Sequence, residues 1–213
     1  DIFTGKFKWK TMNAERRMLI MLVISLSMLA PFYIFKDFFT GISKDNDIII
    51  EGVCFLYTSL ILFLSDRCVK GKREPNDITV KNAVTVGIFQ GVALMPGISR
   101  SGSTICGGLF SGFTKETAVK FSFILGIPAI LGGCLLEVKD AFETGQTEIE
   151  ILPFAIGFII SAVVGILAIK LVRWLIKSDK FKIFAFYTLV LGIVVISIGV
   201  IERVSGKGIM EIM

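Results

Sequence analysis

The sequence predicts an all-α, polytopic integral membrane protein built from inverted repeats, each carrying a re-entrant helical hairpin. Three observations lead there. Of the 213 residues, 54% are hydrophobic and 19% charged, with a mean hydropathy of +0.77, whereas soluble domains run at about 45–50% apolar and about 25% charged. Several apolar runs reach the ~20 residues that a helix needs to cross a bilayer. Between two further apolar runs, Ala83–Met95 and Phe121–Leu136, the segment Leu94–Thr104 gathers one arginine, four hydroxyl side chains and two glycines. A polar loop of that kind at membrane depth is costly and marks a functional site.

The elements follow in order. Asp1–Arg17 is polar and basic; Met18–Phe35 is a first span, with Pro31 near its end. A mixed loop, Lys36–Asp47, leads to a second span, Ile48–Ser65, in which Glu51 reads as a solvated helix end. Asp66–Lys81 is a basic loop. Asn82–Met95 and Ile105–Phe113 are apolar but too short to cross, so residues 82–113 read as a re-entrant hairpin. Three spans complete the chain: Thr117–Val138, containing Pro128 and Gly132–Gly133, then Ile151–Ile176 and Phe181–Ile201. Gly126, Gly132 and Gly133 read as close-packing positions. Between these spans lie an acidic loop, Lys139–Glu150, and a basic turn, Lys177–Lys182.

The net charge of +5 comes from basic residues in short loops. They form no stripe, which argues against nucleic acid as a partner, and they follow the positive-inside pattern. Residues 1–17, 66–81 and 177–182 are therefore placed in the cytoplasm, and 36–47 and 139–150 outside. The alternation closes only if 82–113 enters and leaves on the cytoplasmic side. Residues 1–213 then form one membrane domain: 1–81 holds two spans of a first repeat, and 82–213 is a second repeat of one hairpin and three spans. A matching first repeat would need a further hairpin and span upstream, roughly 50–60 residues.

The polar segment has the chemistry of a phosphate site. Arg100 is a permanent cation with planar donors suited to a phosphate. Ser99, Ser101, Ser103 and Thr104 offer donors, and Ser99 could act as a phosphate ligand or as a nucleophile. Gly97 and Gly102 let backbone approach a ligand. Residues after Gly102 can start a helix whose free N–H groups face an anion. Gln90 either reaches toward an opposing hairpin or satisfies its own neighbours. The four cysteines, Cys54, Cys68, Cys106 and Cys134, are scattered singly, and there is no histidine; they read as small apolar residues of membrane helices, with no metal-ligand spacing.

Gln90-Gly91, the string Met95-Pro96-Gly97-Ile98-Ser99-Arg100-Ser101-Gly102-Ser103-Thr104, Phe121-Ser122-Phe123 and Ile127-Pro128-Ala129 resemble the bacterial undecaprenyl-diphosphate phosphatase family of the bacitracin-resistance type. The resemblance covers essentially the whole chain. It implies a two-repeat enzyme of the bacterial plasma membrane that removes the terminal phosphate of undecaprenyl diphosphate, regenerating the lipid carrier for peptidoglycan and other wall polymers. It further implies catalytic roles for Arg100 and Ser99, and substrate contacts at Thr104, Ser101, Gly97, Gly102 and Gln90. Dependence on Mg2+ or Ca2+ is implied as well, and a homodimer is a further expectation. The family's first motif, an E/Q-x-x-x-E element followed by Pro-x-Ser-Ser-x-Gly-His, is absent from these residues. Either the sequence lacks its N-terminal part or it is a diverged paralogue. With no base to activate the attacking oxygen, residues 1–213 alone are expected to be inactive. The competing function is a polyprenyl-phosphate transporter or flippase, which would bind the head group and release no phosphate.

Overall fold

The computed structural model describes residues 13–35, 41, 48–67, 71–144, 151–177 and 181–205. The basic stretch before Asn13, most of the loop 36–47, the acidic loop from 145 and the tail from 206 lie outside the described residues. Regular structure among the described residues is helical, apart from one bridge between Arg73 and Phe113. The helices are α1 (Ala14–Ser27), α2 (Leu29–Tyr33), α3 (Ile49–Arg67), α4 (Val80–Val92), α5 (Arg100–Phe110), α6 (Lys115–Thr144), α7 (Ile151–Lys177) and α8 (Phe181–Ser205). Among the described residues, five stretches are long and apolar enough to cross a membrane: α1 with α2, α3, α6, α7 and α8. The chain is a polytopic membrane protein. The first span is interrupted after Ser27 because Pro31 has no N–H to give the Ser27 carbonyl and its ring crowds that turn.

Two compact units divide the chain: residues 1–125 with 181–213, and residues 126–180. The second holds the rest of α6 and all of α7, whose apolar window Leu152–Val172 has no buried residue among the described ones. Here a Cβ placed on Gly132 or Gly133 would meet nothing within 4 Å. These glycines were expected to permit close packing, yet among the described residues no neighbour lies against them.

The first unit positions the polar segment. Helix α3 runs antiparallel to α8, held at four levels along its length. A Cβ on Gly52 would lie 3.2 Å from the Gly192 carbonyl, and the Ser59 hydroxyl donates to the Ala185 carbonyl at 2.7 Å. Phe63 meets Phe186 edge-on at 5.0 Å, and Lys182 pairs with Asp66 at 3.2 Å. Helix α1 lies along α4, with the Ser25 hydroxyl donating to the Ala83 carbonyl at 2.7 Å and the Arg17 Nε to the Ile78 carbonyl at 2.8 Å.

Helices α4 and α5 form the hairpin, 13 and 11 residues long. At about 1.5 Å per residue neither arm reaches the ~30 Å of a bilayer's hydrocarbon. The arms differ from expectation at both ends of the turn. The first stops at Val92 instead of Met95, and the second starts at Arg100 instead of Ile105. Ser99 causes the second difference: its hydroxyl accepts the Gly102 N–H at 3.1 Å and caps the helix there. The loop proper is therefore Ala93–Ile98, and the hydroxyl-rich half of the motif is helical.

The hairpin's open end is tied by a group that sequence reasoning had treated only as a basic loop residue. Arg73 exchanges backbone bonds with the far arm, its N–H to the Gly112 carbonyl and its carbonyl to the Thr114 N–H, both 3.0 Å. Its guanidinium donates to Asn82 Oδ1 at 2.8 Å, and the Asn82 amide donates across the arms to the Ser111 carbonyl at 3.3 Å. The same Oδ1 takes the Thr79 hydroxyl at 2.6 Å, which closes the cap of α4. Gly112, at φ 80°, turns the chain out of α5. Asn82 is buried, so Asn82→Ala leaves several of these partners unmatched. A loss of about 2 kcal/mol is expected, read as a lowered unfolding midpoint in detergent, whereas an unchanged midpoint would mean the tie is dispensable.

Candidate active site

The hairpin's closed end packs against the upper half of α3. Gly97 has φ 84°, and a Cβ there would stand 2.7 Å from the Glu51 carbonyl and 3.0 Å from the Cys54 Cβ. Two residues later, the Ser99 N–H donates to the Thr58 hydroxyl at 3.3 Å, and that hydroxyl donates in turn to the Cys54 carbonyl at 3.0 Å. Thr58 is the central residue of the 19-residue α3, about 14 Å from either end at 1.5 Å per residue. Arg100 is thus held at mid-height of a span-length helix.

Arg100 is half-buried, and its guanidinium has no hydrogen bond or ion pair among the described residues. It occupies the first position of α5, where the N–H groups of Arg100 and Ser101 have no intrahelical acceptor. A guanidinium and a helix start side by side are the kind of pairing that attracts an anion. Ser101 is exposed on the same turn. Gly102 stays small for a local reason: a Cβ there would press to 3.0 Å from the Ser99 Oγ, disturbing the cap.

The other expected contacts are distributed differently. Thr104 is buried, and its hydroxyl is committed to protein: 2.6 Å to the Ser122 Oγ of α6, 3.0 Å to the Arg100 carbonyl and 3.2 Å to the Ser101 carbonyl. It braces the first turn of α5 against α6. Ser103 is fully buried and its Oγ has no partner among the described residues. Gln90 is buried too, and neither atom of its amide is paired there, so it does not satisfy its neighbours.

Glu51 requires a correction. It was expected as a solvated helix end, but its backbone abuts Gly97 and its Oε2 is buried with no partner among the described residues. Sequence reasoning misread Glu51, passed over Thr58, and quoted Ser122 only as part of the Phe121-Ser122-Phe123 string. The first two fall seven positions apart on α3, one face of a helix; nothing in the linear sequence shows that this face meets a loop some forty residues away.

The match to known proteins spans these residues. A family model described as bacitracin resistance protein BacA matches residues 1–194. The chain belongs to the BacA family. Among its BacA relatives is the undecaprenyl-diphosphatase of Alkaliphilus metalliredigens, 41% identical over 197 residues, which cover 92% of this chain and 70% of that protein. The undecaprenyl-diphosphatase of Halothermothrix orenii is 37% identical over 163 residues, 76% of this chain and 62% of that one. Undecaprenyl-diphosphatase 4 of Bacillus thuringiensis is 36% identical over 184 residues, 86% and 70% of the two chains. The chain thus spans about two thirds of the length of the BacA relatives it matches.

Proposed function

We propose that this protein is a multi-pass phosphatase of the bacterial plasma membrane that hydrolyses undecaprenyl diphosphate to undecaprenyl phosphate and inorganic phosphate, recycling the lipid carrier for wall synthesis. The observation that carries the proposal is Arg100: a guanidinium without a protein partner among the described residues, on the first turn of α5, level with the middle of α3. A diphosphate head group on a long apolar chain is a ligand that such a cation fits. The tail stays among apolar helices while the phosphates reach the hairpin tip.

In the hydrolysis, water's oxygen bonds to the terminal phosphorus as the bond from that phosphorus to the bridging oxygen breaks. The bridging oxygen leaves with the lipid phosphate, and the proton that the water sheds ends on a phosphate oxygen of the products. Charge grows on the phosphate oxygens during this exchange, and fixed donors aimed at them lower the barrier. Arg100 supplies paired N–H groups, the start of α5 supplies backbone N–H groups, and Ser99, with its lone pair engaged by Gly102, has its own O–H left to donate to a phosphate oxygen. Gly97 and the exposed Ser101 line the approach.

The Mg2+ or Ca2+ that the family resemblance implies finds no ligand set among the described residues: no group of three or more His, Cys, Asp or Glu side chains converges there. Glu51 is a single carboxylate at the tip, so no step above is routed through a divalent cation. The proposal includes re-entry of the hairpin from the cytoplasmic side. The contacts Arg17–Ile78 and Asp66–Lys182 join segments that belong to that side by charge, and Arg73–Gly112 ties the far end of the hairpin to the same basic loop, which supports its return there. Self-association as a homodimer is part of the same proposal, to be read from the detergent-corrected mass.

Phosphate release from the purified intact protein given undecaprenyl diphosphate tests the reading. Stoichiometric binding of the lipid with no phosphate released would instead indicate a carrier.

A further inference from the structure

Thr58 is buried in the middle of α3, 1% exposed. A threonine inside a helix commonly returns its hydroxyl to the carbonyl four residues back, and Thr58 does so at Cys54, 3.0 Å away. That bond uses the proton and leaves a lone pair, which accepts the Ser99 N–H at 3.3 Å. The methyl of the same side chain lies 3.9 Å from where a Cβ on Gly102 would be. One side chain therefore meets both residues of the α5 cap: its oxygen holds the Ser99 backbone, and its carbon lies beside the Gly102 whose N–H the Ser99 hydroxyl takes.

The anchor itself is fixed. α3 is clasped to α8 by the Gly52–Gly192 approach and the Ser59–Ala185 bond. The chain of bonds runs from the α3 backbone through Thr58 to Ser99, and from Ser99 to the turn that carries Arg100. We infer that Thr58 is a positioning residue for the phosphate-binding turn: it sets where α5 begins and hence where the Arg100 guanidinium and the first free N–H groups stand. The inference rests on the function proposed above. Misplacement of such donors by a fraction of an ångström falls mainly on the transition state, where charge has developed, and less on lipid capture.

Valine matches threonine in shape and lacks both the donor and the acceptor; serine keeps the hydroxyl. In the intact protein, Thr58→Val is expected to lower kcat about tenfold with KM within about twofold, and Thr58→Ser to restore kcat to within about twofold of the parent. Amide hydrogen exchange at Ser99, measured without substrate, should quicken in Thr58→Val and not in Thr58→Ser. Three results overturn the inference: Thr58→Val with parental kcat, Thr58→Ser as impaired as Thr58→Val, or unchanged exchange at Ser99. If the parent protein itself releases no phosphate, the proposed function fails instead, and the exchange measurement still decides whether Thr58 holds the cap.

Discussion

Replacing Arg100 with alanine is expected to lower phosphate release on the order of a thousandfold, the scale on which an arginine facing a transferring phosphoryl group acts. The folded yield should stay near that of the parent. The Arg100 guanidinium makes no bond to another described side chain, so its removal leaves no buried partner unmatched. The helix start beside it is held by Ser99, Thr58 and Thr104, none of which needs the guanidinium. Lysine should rescue poorly. It restores the charge, but a compact ammonium offers no planar fork to grip two phosphate oxygens, and it is more strongly hydrated. Initial rates of phosphate release for the parent, Arg100→Ala and Arg100→Lys, with thermal unfolding in the same detergent, decide the matter. Near-parental turnover in either variant would remove Arg100 from the chemistry.

The second large effect is expected at Gly97. Its φ of 84° lies in the left-handed region, and a Cβ would meet the Glu51 carbonyl at 2.7 Å. Gly97→Val carries both costs: about 1–2 kcal/mol for a side chain in that conformation, and a clash that must push the loop off α3. As the loop moves, the Ser99–Thr58 bond and the start of α5 move with it. Turnover should fall at least about tenfold and the unfolding midpoint should drop, with Gly97→Ala in between. Gly133→Ala is the control. That glycine is helical, with nothing within 4 Å of a new Cβ, so the better helix former should be neutral or slightly stabilising. If Gly97→Val matches the parent in both measurements, the loop does not rest on α3.

Much of this protein was legible in the order of its residues. Length and polarity decide which stretches can cross a membrane, because a backbone in lipid must satisfy its own hydrogen bonds. Five span-length helices therefore stand close to where the hydropathy places them. The two arms of the hairpin were legible for the opposite reason, being apolar yet too short. Arg100 could be singled out because a permanent charge among apolar runs has few reasons to be there. Boundaries at the motif were not legible. A run of serines and glycines reads as loop by local preference, and it becomes helix from Arg100 onward because Ser99 caps that end.

Tertiary structure alone decided what surrounds the site. Glu51 looked like a solvated end because sequence reports only its distance from the start of its helix. Its neighbour is Gly97, brought there by the length of α4 and the turn after it. Thr58 carries no signal as a single hydroxyl in an apolar helix, and Ser122 figured only within a family-like string; both acquire roles because α3 and α6 pass beside the start of α5. Arg73 counted only toward a basic loop until the Asn82 amide and the Gly112 and Thr114 backbone met it at the hairpin's open end. Composition and periodicity act along the chain and are read there, whereas a hydrogen bond between residues 41 positions apart exists only once packing has closed the distance.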